Sequence, residues 1–248
     1  MTNASPISAD AFEILRACSV PSLVSTLFRM GFANTFVRGV KRINPGDRLM
    51  VGSAFTMRTV PIREDTRQAI SDGRLANLQA LAFDQISAGQ VLVCEGAGET
   101  ETALLGDMVT TSFAYRGVSG IVADCSVNDR VSIAGIECPV YCLGDASLPF
   151  TSHRHVIDLN VPISCGGVAV FPGDVIVGDG NGVVVIPKDR CAEVADSAFE
   201  RERFEGFVAE RLRGGAPLKG TYPASDETKR LYEEWLKGRA PADREDGR

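Results

Sequence analysis

Apolar residues near the N-terminus recur at helical spacing, and from residue 52 the pattern changes to that of strands. Over residues 9–31 the spacing predicts two short helices, with a break near Pro21 and Gly31 as the residue that ends the second. Apolar and polar residues alternate over 52–62, which predicts a strand. The run QVLVCEG at 90–96 is almost wholly apolar, as in a strand that is buried on both faces.

Helical and extended patterns alternate through the middle of the chain. The polar residues 63–67 predict a turn, which leads into a helical stretch over 75–83. Four more elements follow: a helix over 107–115, a strand over 120–124, a helical turn after Asn128 and a strand over 138–143. Strands that alternate with helices in this way indicate an α/β fold with short crossover connections.

The pattern changes again at residue 161, where short apolar segments follow one another closely. Gly-Gly, Pro-Gly-Asp and Asp-Gly-Asn-Gly turns separate these segments, which predicts several short strands. A long helix is expected over 188–212, because Pro187 suits its start and Gly214 and Gly215 suit its end.

The C-terminal part of the chain is polar and strongly charged. Beyond Ser225 we expect a charged helix that contains the single tryptophan, Trp235, followed by a disordered end over 238–248. The sequence has no internal repeat and no segment with the composition of a linker between domains. We therefore expect one domain over 1–215 and a C-terminal helical extension with a disordered tail over 216–248.

Composition and charge exclude several classes of protein. The 248 residues include 44% hydrophobic and 23% charged residues, which is typical of a globular chain with a sizeable core. The net charge of −6 argues against a nucleic-acid partner bound through bulk positive charge. No apolar run reaches the ~18 residues of a membrane span, and the N-terminus lacks the basic region of a signal peptide. We expect a cytoplasmic protein without a membrane partner.

Cysteine and histidine usage narrows the possible chemistry further. The seven cysteines are dispersed without a C-x-x-C pair, which predicts buried, reduced thiols, and Cys125 is expected to be one of these rather than a nucleophile. His153 and His155 are the only histidines, and they are read as part of a polar loop unless a third metal ligand joins them. Residues 179–182 predict a hairpin turn, and the charges over 200–213 predict a solvated helix face.

Two short polar stretches are candidates for a site. Gly106 and Asp107 stand at the start of a predicted helix, where free backbone N–H groups and the helix dipole suit a carboxylate or phosphate. Asp124, Asn128 and Asp129 lie at or just past the end of a predicted strand, and their oxygens suit Mg²⁺ or Mn²⁺. The alternatives are a simple helix cap by Asp107 and an ordinary Asx-rich turn.

The two stretches together resemble the signature of RraA-like proteins, which reads G-D/E-x-x-x and then R-G-x-x-G-x-V-x-D-G-x-x-R-D. Here the second part stands as RGVSGIVADCSVND at 116–129. CPVYCLG at 138–144 is similar to the family segment P-V-F/W-x-x-G, and GGVAVFPGDVIVGDGNGVVVIP at 166–187 is similar to GV-x-V-x-PGD-x-V-x-x-D-x-x-GVVVVP. The resemblance covers roughly residues 9–215. The family includes the 4-hydroxy-4-methyl-2-oxoglutarate/4-carboxy-4-hydroxy-2-oxoadipate aldolases and the RNase E inhibitor RraA.

The resemblance implies a fold, an assembly and a metal site. The implied fold is an α/β domain of the β/β/α swivelling type, with N-terminal helices, in a homotrimer or a dimer of trimers whose active sites lie between subunits. Mg²⁺ or Mn²⁺ would bind directly to Asp129, while Asp107 would hold water on the metal.

The resemblance also implies how a substrate binds. Its carboxylate would lie on the backbone amides that follow Gly106, from Asp107 through Met108 to Val109. A glutamate on the C-terminal helix of the neighbouring subunit would complete the metal surroundings, and Glu205 matches its position, with Glu202 as the alternative.

One residue departs from the family pattern at a critical place. The family's arginine, which would steady an enolate and the substrate oxygen, is Asn128 here, and Asn128 donates hydrogen bonds without a positive charge. The glycine after Asp124 is Cys125. Arg130 or Arg154 are the cations that could take the place of the missing arginine.

These observations lead to one main hypothesis and two alternatives. The main hypothesis is a divalent-metal-dependent carbon–carbon lyase, an aldolase or decarboxylase that acts on a small 2-oxo or hydroxy polycarboxylic acid through an enolate. One alternative is a non-catalytic RraA-type regulator that binds a ribonuclease or helicase. The other is an RraA-like enzyme with a distinct substrate because of Asn128.

Overall fold

The computed structural model describes residues 9–46 and 49–238. The expected disordered end lies outside the described residues from residue 239 onward. The helices are α1 Ala9–Arg16, α2 Val20–Arg29, α3 Glu64–Ser71, α4 Leu78–Gln85, α5 Asp107–Tyr115, α6 Arg130–Ile133, α7 Cys191–Arg213, α8 Leu218–Thr221 and α9 Asp226–Gly238, with 3₁₀ turns at Phe150–Ser152 and Lys188–Arg190. The strands are β1 Phe36–Val37, β2 Lys41–Arg42, β3 Met50–Pro61, β4 Gln90–Ala103, β5 Gly120–Val127, β6 Val140–Cys142, β7 Gly144–Asp145, β8 Leu148–Pro149, β9 Arg154–Leu159, β10 Ile163–Cys165, β11 Val168–Val170, β12 Val175–Asp179 and β13 Gly182–Ile186.

A mixed sheet organises the chain. Within the described residues it has 11 strands, with the path β1-β13-β12-β3-β4-β5-β6-β2 and with β7, β8 and β9 paired at its sides. The four central strands β3, β4, β5 and β6 are parallel to one another, and α3 with α4, then α5, then α6 form their crossovers. Because parallel strands end at the same edge, the segments after β4 and β5 are brought side by side.

Apolar side chains are buried on both faces of the sheet. One cluster packs α4, α5 and α6 on the central strands and includes the fully buried Phe113. A second cluster packs α1, α2 and the first turns of α7 on β12 and β13. The β10–β11 hairpin contributes to a third cluster with residues of β4, β5 and β13. All residues of β5 are buried, so the strand that leads to Asp129 has little freedom to move.

Most predicted elements are confirmed, and one prediction is wrong. The predicted helix 107–115 is α5, and the predicted turn at 179–182 joins β12 to β13. The predicted polar turn at 63–67 is instead the start of α3, because Glu64 and Asp65 occupy the first turn, where negative charge stabilises a helix. The predicted helix 75–83 begins later, as α4, since Asn77 caps it by accepting from the Ala80 N–H (3.1 Å).

The cysteines form no disulfide, as the sequence predicts. All seven thiols are free and buried, at positions 18, 94, 125, 138, 142, 165 and 191. Burial also raises the pKa of the Cys94 and Cys165 thiols well above the ordinary value, which keeps them protonated and unreactive. Among residues 9–46 and 49–238 no single helix is long and apolar enough to cross a bilayer, while the bent pair α1–α2 has the length and composition for it.

The chain divides into two compact units, with the boundary between Ala198 and Phe199 inside α7. The second unit contains the later turns of α7 with α8 and α9. Its centre is an aromatic cluster in which neighbouring ring centroids lie 5.0–6.4 Å apart, formed by Phe204, Phe207, Tyr232 and Trp235. The domain boundary expected at residue 215 stays a prediction.

Candidate functional site

The two polar stretches singled out in the sequence meet in space. After β4 the chain passes through Leu104 and Leu105 to Gly106, and after β5 it passes to Asn128. The Leu104 N–H donates to the Ser126 carbonyl (2.9 Å), and the Asn128 N–H donates to the Leu105 carbonyl (2.9 Å). Backbone pairing therefore continues past the strand ends and fixes the start of α5 beside the start of α6.

Gly106 lies directly against the side chains that follow β5. A Cβ atom at this position would stand 2.4 Å from Asp129 Oδ2 and 2.6 Å from Asn128 Oδ1. The Gly106 backbone is extended, with φ −127° and ψ −161°, which any residue adopts. The glycine is therefore required for space rather than for backbone freedom.

Asp129 holds an unusual backbone conformation at this junction. Its φ of 53° and ψ of 33° place it in the left-handed region, which Asp tolerates better than most residues. Its carbonyl accepts the Ile133 N–H (2.9 Å), so the same residue starts α6. Its exposed carboxylate turns toward Gly106, and Oδ2 has the Asp107 N–H as a long donor at 3.4 Å. Strained residues of this kind often mark functional sites.

Asn128 contributes a buried oxygen without a donor. Its side chain is half-buried, and its Oδ1 atom has no hydrogen-bond partner within residues 9–46 and 49–238. Buried polar atoms in proteins are almost always paired, so an orphaned oxygen at this place calls for an explanation.

The N-terminus of α5 forms the other side of the site. The first intrahelical bond runs from the Thr110 N–H to the Gly106 carbonyl (3.1 Å), so the N–H groups of Asp107, Met108 and Val109 precede it. Thr110 Oγ1 also donates to the Gly106 carbonyl (2.9 Å), a contact that sequence reasoning missed. A hydroxyl four residues after Gly106 was the available signal, since Thr often bonds back to the i−4 carbonyl. These N–H groups and the helix dipole suit an anionic group.

The oxygen set of the site fits a hard divalent cation. Asp129 and Asp107 offer carboxylates, the Asn128 Oδ1 atom is orphaned, and Gly106 leaves the space that a Cβ atom would fill. In the described part of the chain, no three or more His, Cys, Asp or Glu residues form a metal-holding group. An ion here would therefore keep several waters, as Mg²⁺ does, and would not need the closed ligand set of a zinc site.

Asp124 has a structural role, although it stands on the same strand. Its carboxylate accepts backbone N–H groups from Gly96, Ala97 and Gly166. Burial raises the pKa of Asp124 above its ordinary value, although the three N–H donors oppose that shift. The carboxylate thus ties β5 to the bend in β4 and to the β10–β11 turn. Cys125 beside it is fully buried and, as expected, is not an accessible nucleophile.

The arginines near the motif have separate partners. Arg116 donates to the carbonyls of Phe83 (2.5 Å) and Asp84 (2.9 Å), so it caps the end of α4. The exposed Arg130 forms an ion pair with Asp145 (3.5 Å). Arg154 donates to the hydroxyl of Thr59 (2.8 Å) and to its carbonyl (3.3 Å).

The remaining predicted residues lie in different surroundings. Glu205 is on α7 in the second unit, where it pairs with Arg201 (2.7 Å), and Glu202 is on the same helix. Their role beside Asp129 of a neighbouring subunit stays a prediction. His153 pairs with Glu99 (3.2 Å).

Other predicted features also have structural roles. His155 lies on β9, one residue after the start of that strand. Asp179 accepts the Val20 N–H (2.9 Å) and so anchors the start of α2, which confirms a structural reading of that turn.

Comparisons with known proteins show the family of the chain. A family model for RraA-like proteins, described as Aldolase/RraA, matches residues 17–185. A Halalkalibacterium halodurans protein named "putative 4-hydroxy-4-methyl-2-oxoglutarate aldolase" is 34% identical over 163 residues, which are 66% of this chain and 71% of that protein. An uncharacterized protein of Methanocaldococcus jannaschii is 30% identical over 217 residues, which are 86% of this chain and 94% of that protein.

Solved structures show the same fold. Streptomyces coelicolor RraAS2, described as an unusual member of the RNase ES inhibitor RraA protein family, superposes with a TM-score of 0.73 at 28% identity, over 83% of this chain and 98% of that one. An uncharacterized protein of Pseudomonas syringae pv. tomato superposes with a TM-score of 0.76 at 24% identity, over 88% of this chain and 100% of that one. The fold, the motif and the family match over most of the chain agree, and the chain belongs to the RraA-like family.

Proposed function

We propose that the chain is a divalent-metal-dependent carbon–carbon lyase that acts on a small 2-oxo or hydroxy polycarboxylic acid by aldol cleavage or decarboxylation. The observation that carries this proposal is the convergence of the Asp129 carboxylate and the α5 N-terminus over Gly106. In this proposal the carboxylate holds a cation and the adjacent N–H groups hold an anionic group, the pair of contacts that a 2-oxo acid requires. The aldolase names of relatives support the same substrate class.

Each group of the site has a role in this proposal. The backbone amides from Asp107 to Val109 bind the substrate carboxylate next to the keto group and fix its orientation. Asp129 binds Mg²⁺ or Mn²⁺ directly, Asp107 holds water on the ion, and Glu205 of a neighbouring subunit in a trimer or a dimer of trimers adds a further carboxylate. When bound, the ion supplies Lewis-acid polarisation of the keto and carboxylate oxygens.

Cleavage of the carbon–carbon bond requires a base that accepts the 4-hydroxyl proton and a group that stabilises the electron pair of the broken bond. In this proposal Asp107, the first residue of α5, accepts through water the proton that leaves the substrate's 4-hydroxyl group. Cleavage leaves the electron pair on the pyruvyl fragment as an enolate, which the positive end of α5 and the amide of Asn128 stabilise. Decarboxylation of oxaloacetate leaves the same enolate, so one site serves both reactions.

Pyruvate release tests the proposal. Purified protein is incubated with a panel of 4-hydroxy-2-oxo acids and oxaloacetate, with Mg²⁺ or Mn²⁺ or with EDTA. We expect release with metal, loss of release with EDTA, and loss in Asp129→Ala but not in the control Asp84→Ala, whose side chain is exposed on α4. Turnover that survives both EDTA and Asp129→Ala would refute the proposal.

A second function deserves a test because of Asn128. Its uncharged side chain and the likeness to RraAS2 favour a non-catalytic regulator that binds a ribonuclease or helicase. Metal-dependent turnover of any acid in the panel would argue against that function.

A distinct substrate is the remaining alternative. If Asn128→Arg leaves the aldolase substrates unconverted while another acid is turned over with metal, Asn128 marks a separate substrate class.

A further inference from the structure

Two oxygen atoms crowd the same side of the Gly106 backbone. Asp129 Oδ2 and Asn128 Oδ1 both lie within 2.6 Å of the point where a Cβ atom on Gly106 would stand. One belongs to a carboxylate and the other to a carboxamide, so both accept hydrogen bonds and neither donates. The two acceptors therefore lie no more than 5.0 Å apart, close enough for one donor or one cation to contact both.

Few hydrogen-bond donors contact these two oxygen atoms. The single hydrogen bond recorded to Asp129 Oδ2 is the long one from the Asp107 N–H at 3.4 Å, and Asn128 Oδ1 has no partner among the described residues. The Asp107 N–H is a weak donor at that distance, and the Asp129 carboxylate beside it is exposed and negatively charged. A bridging water can donate to both oxygens, but a divalent cation binds both and also balances the charge of the Asp129 carboxylate.

We propose that Asn128 Oδ1 is a direct ligand of the divalent ion beside Asp129, so that this chain holds the ion with two consecutive residues. The inference rests on the metal site of the proposed function. Carboxamide and carboxylate oxygens are both ordinary ligands of Mg²⁺ and Mn²⁺. A neutral second ligand anchors the ion without cancelling its charge, which leaves the ion a stronger Lewis acid than a second carboxylate would.

Backbone geometry supports this role for Asn128. Its N–H donates to the Leu105 carbonyl (2.9 Å), so its backbone is fixed against the end of β4. Asp129, with φ 53°, then turns the chain sharply, which lets two successive side chains approach one point above Gly106. In ordinary extended backbone, successive side chains point to opposite faces.

Metal binding by the full-length protein tests the inference without any turnover. Mn²⁺ is titrated into the wild type and into Asn128→Ala, Asn128→Asp and Asp129→Ala, and free Mn²⁺ is measured by electron paramagnetic resonance. Asn34→Ala is the matched control, because Asn34 is exposed and its amide donates to the Gly167 carbonyl outside the site. Thermal unfolding of each variant without metal shows whether it is folded.

We expect Asn128→Ala to bind Mn²⁺ about 10- to 100-fold more weakly. Asn128→Asp should bind more tightly, because it keeps the oxygen and adds charge. Water-proton relaxation should report about one more water on Mn²⁺ in Asn128→Ala, since water replaces the lost oxygen. Asn34→Ala should match the wild type.

Two results would overturn the inference. One is wild-type affinity and an unchanged water number in folded Asn128→Ala, while Asp129→Ala loses binding; the proposed lyase function would then survive. The other is a wild type that binds no Mn²⁺. If Asn128 binds the ion as expected but no acid of the panel is cleaved, the lyase proposal fails and this inference stands.

Discussion

Replacement of Gly106 by alanine tests the site at its most crowded point. The new Cβ atom would meet Asp129 Oδ2 at 2.4 Å and Asn128 Oδ1 at 2.6 Å, well inside contact distance. Because favourable carbon contacts begin near ~3.5 Å, the Asp129 carboxylate must move by about 1 Å. The backbone itself is extended and accepts alanine without strain.

The magnitude of the effect should differ between activity and stability. A displacement of about 1 Å in a metal-holding group costs roughly 100-fold in kcat/KM, which is about 2.7 kcal/mol of transition-state stabilisation. The free energy of unfolding should change by less than about 1 kcal/mol, because the displaced atoms are side-chain ends and alanine restricts the unfolded chain. Activity should therefore be lost without loss of the fold.

Coupled pyruvate release and urea unfolding measure the two quantities on the same preparation. Gly135→Ala is the matched control, since its Cβ would meet only the Ser132 carbonyl at an ordinary 3.6 Å. We expect Gly135→Ala to keep both activity and stability near wild type. Full turnover and full Mn²⁺ affinity in folded Gly106→Ala would refute the reasoning about the crowded site.

Three further predictions concern the stability of the fold. Arg116→Ala should lower the free energy of unfolding by about 1.5–3 kcal/mol, because α4 loses charged hydrogen bonds to its last carbonyls, and unchanged urea stability would contradict this role. Burial lowers the pKa of His155 below 6.5 in the folded chain. The neutral side chain therefore contributes to the free energy of unfolding above pH 6.5, and this contribution is lost as pH falls through the folded-state pKa. Wild type should lose stability over that range relative to His155→Gln, and parallel pH profiles would refute this. Tyr232→Phe should leave stability equal or raise it by up to about 1 kcal/mol, as the Tyr232 hydroxyl is buried without a partner among the described residues. A clear loss of stability, measured by denaturation with Trp235 fluorescence as the signal, would contradict that expectation.

The central α/β pattern was predictable from the sequence because its strands are buried and therefore apolar. The almost wholly apolar run at 90–96 is largely buried and the strand at 120–124 is fully buried, and strands buried on both faces have a clear apolar sequence pattern. The helix at α5 was equally clear, because a glycine precedes it and an acidic residue opens it. By contrast, α3 was hidden because its sequence, EDTRQAIS, buries a single residue, Ala69.

The candidate site was only partly predictable. The sequence placed Gly106 and Asp129 near the ends of adjacent elements, and the crossover topology explains why they meet. Without the family resemblance, the residue pattern could not separate Asp124 from Asp129, because the difference depends on backbone donors from Gly96 and Gly166, which are distant in sequence. Sequence alone also could not reveal that Asn128 Oδ1 lacks a hydrogen-bond partner among the described residues, because that depends on which groups surround the atom in the folded chain.

A crystal structure with Mn²⁺ and oxalate, a stable mimic of the pyruvate enolate, tests the central claim most directly. We predict an anomalous Mn²⁺ peak in contact with the Asp129 carboxylate, and an oxalate carboxylate on the N–H groups at the start of α5. A Mn²⁺ peak away from Asp129, or oxalate bound without contact to the amides from Asp107 to Val109, would contradict the account.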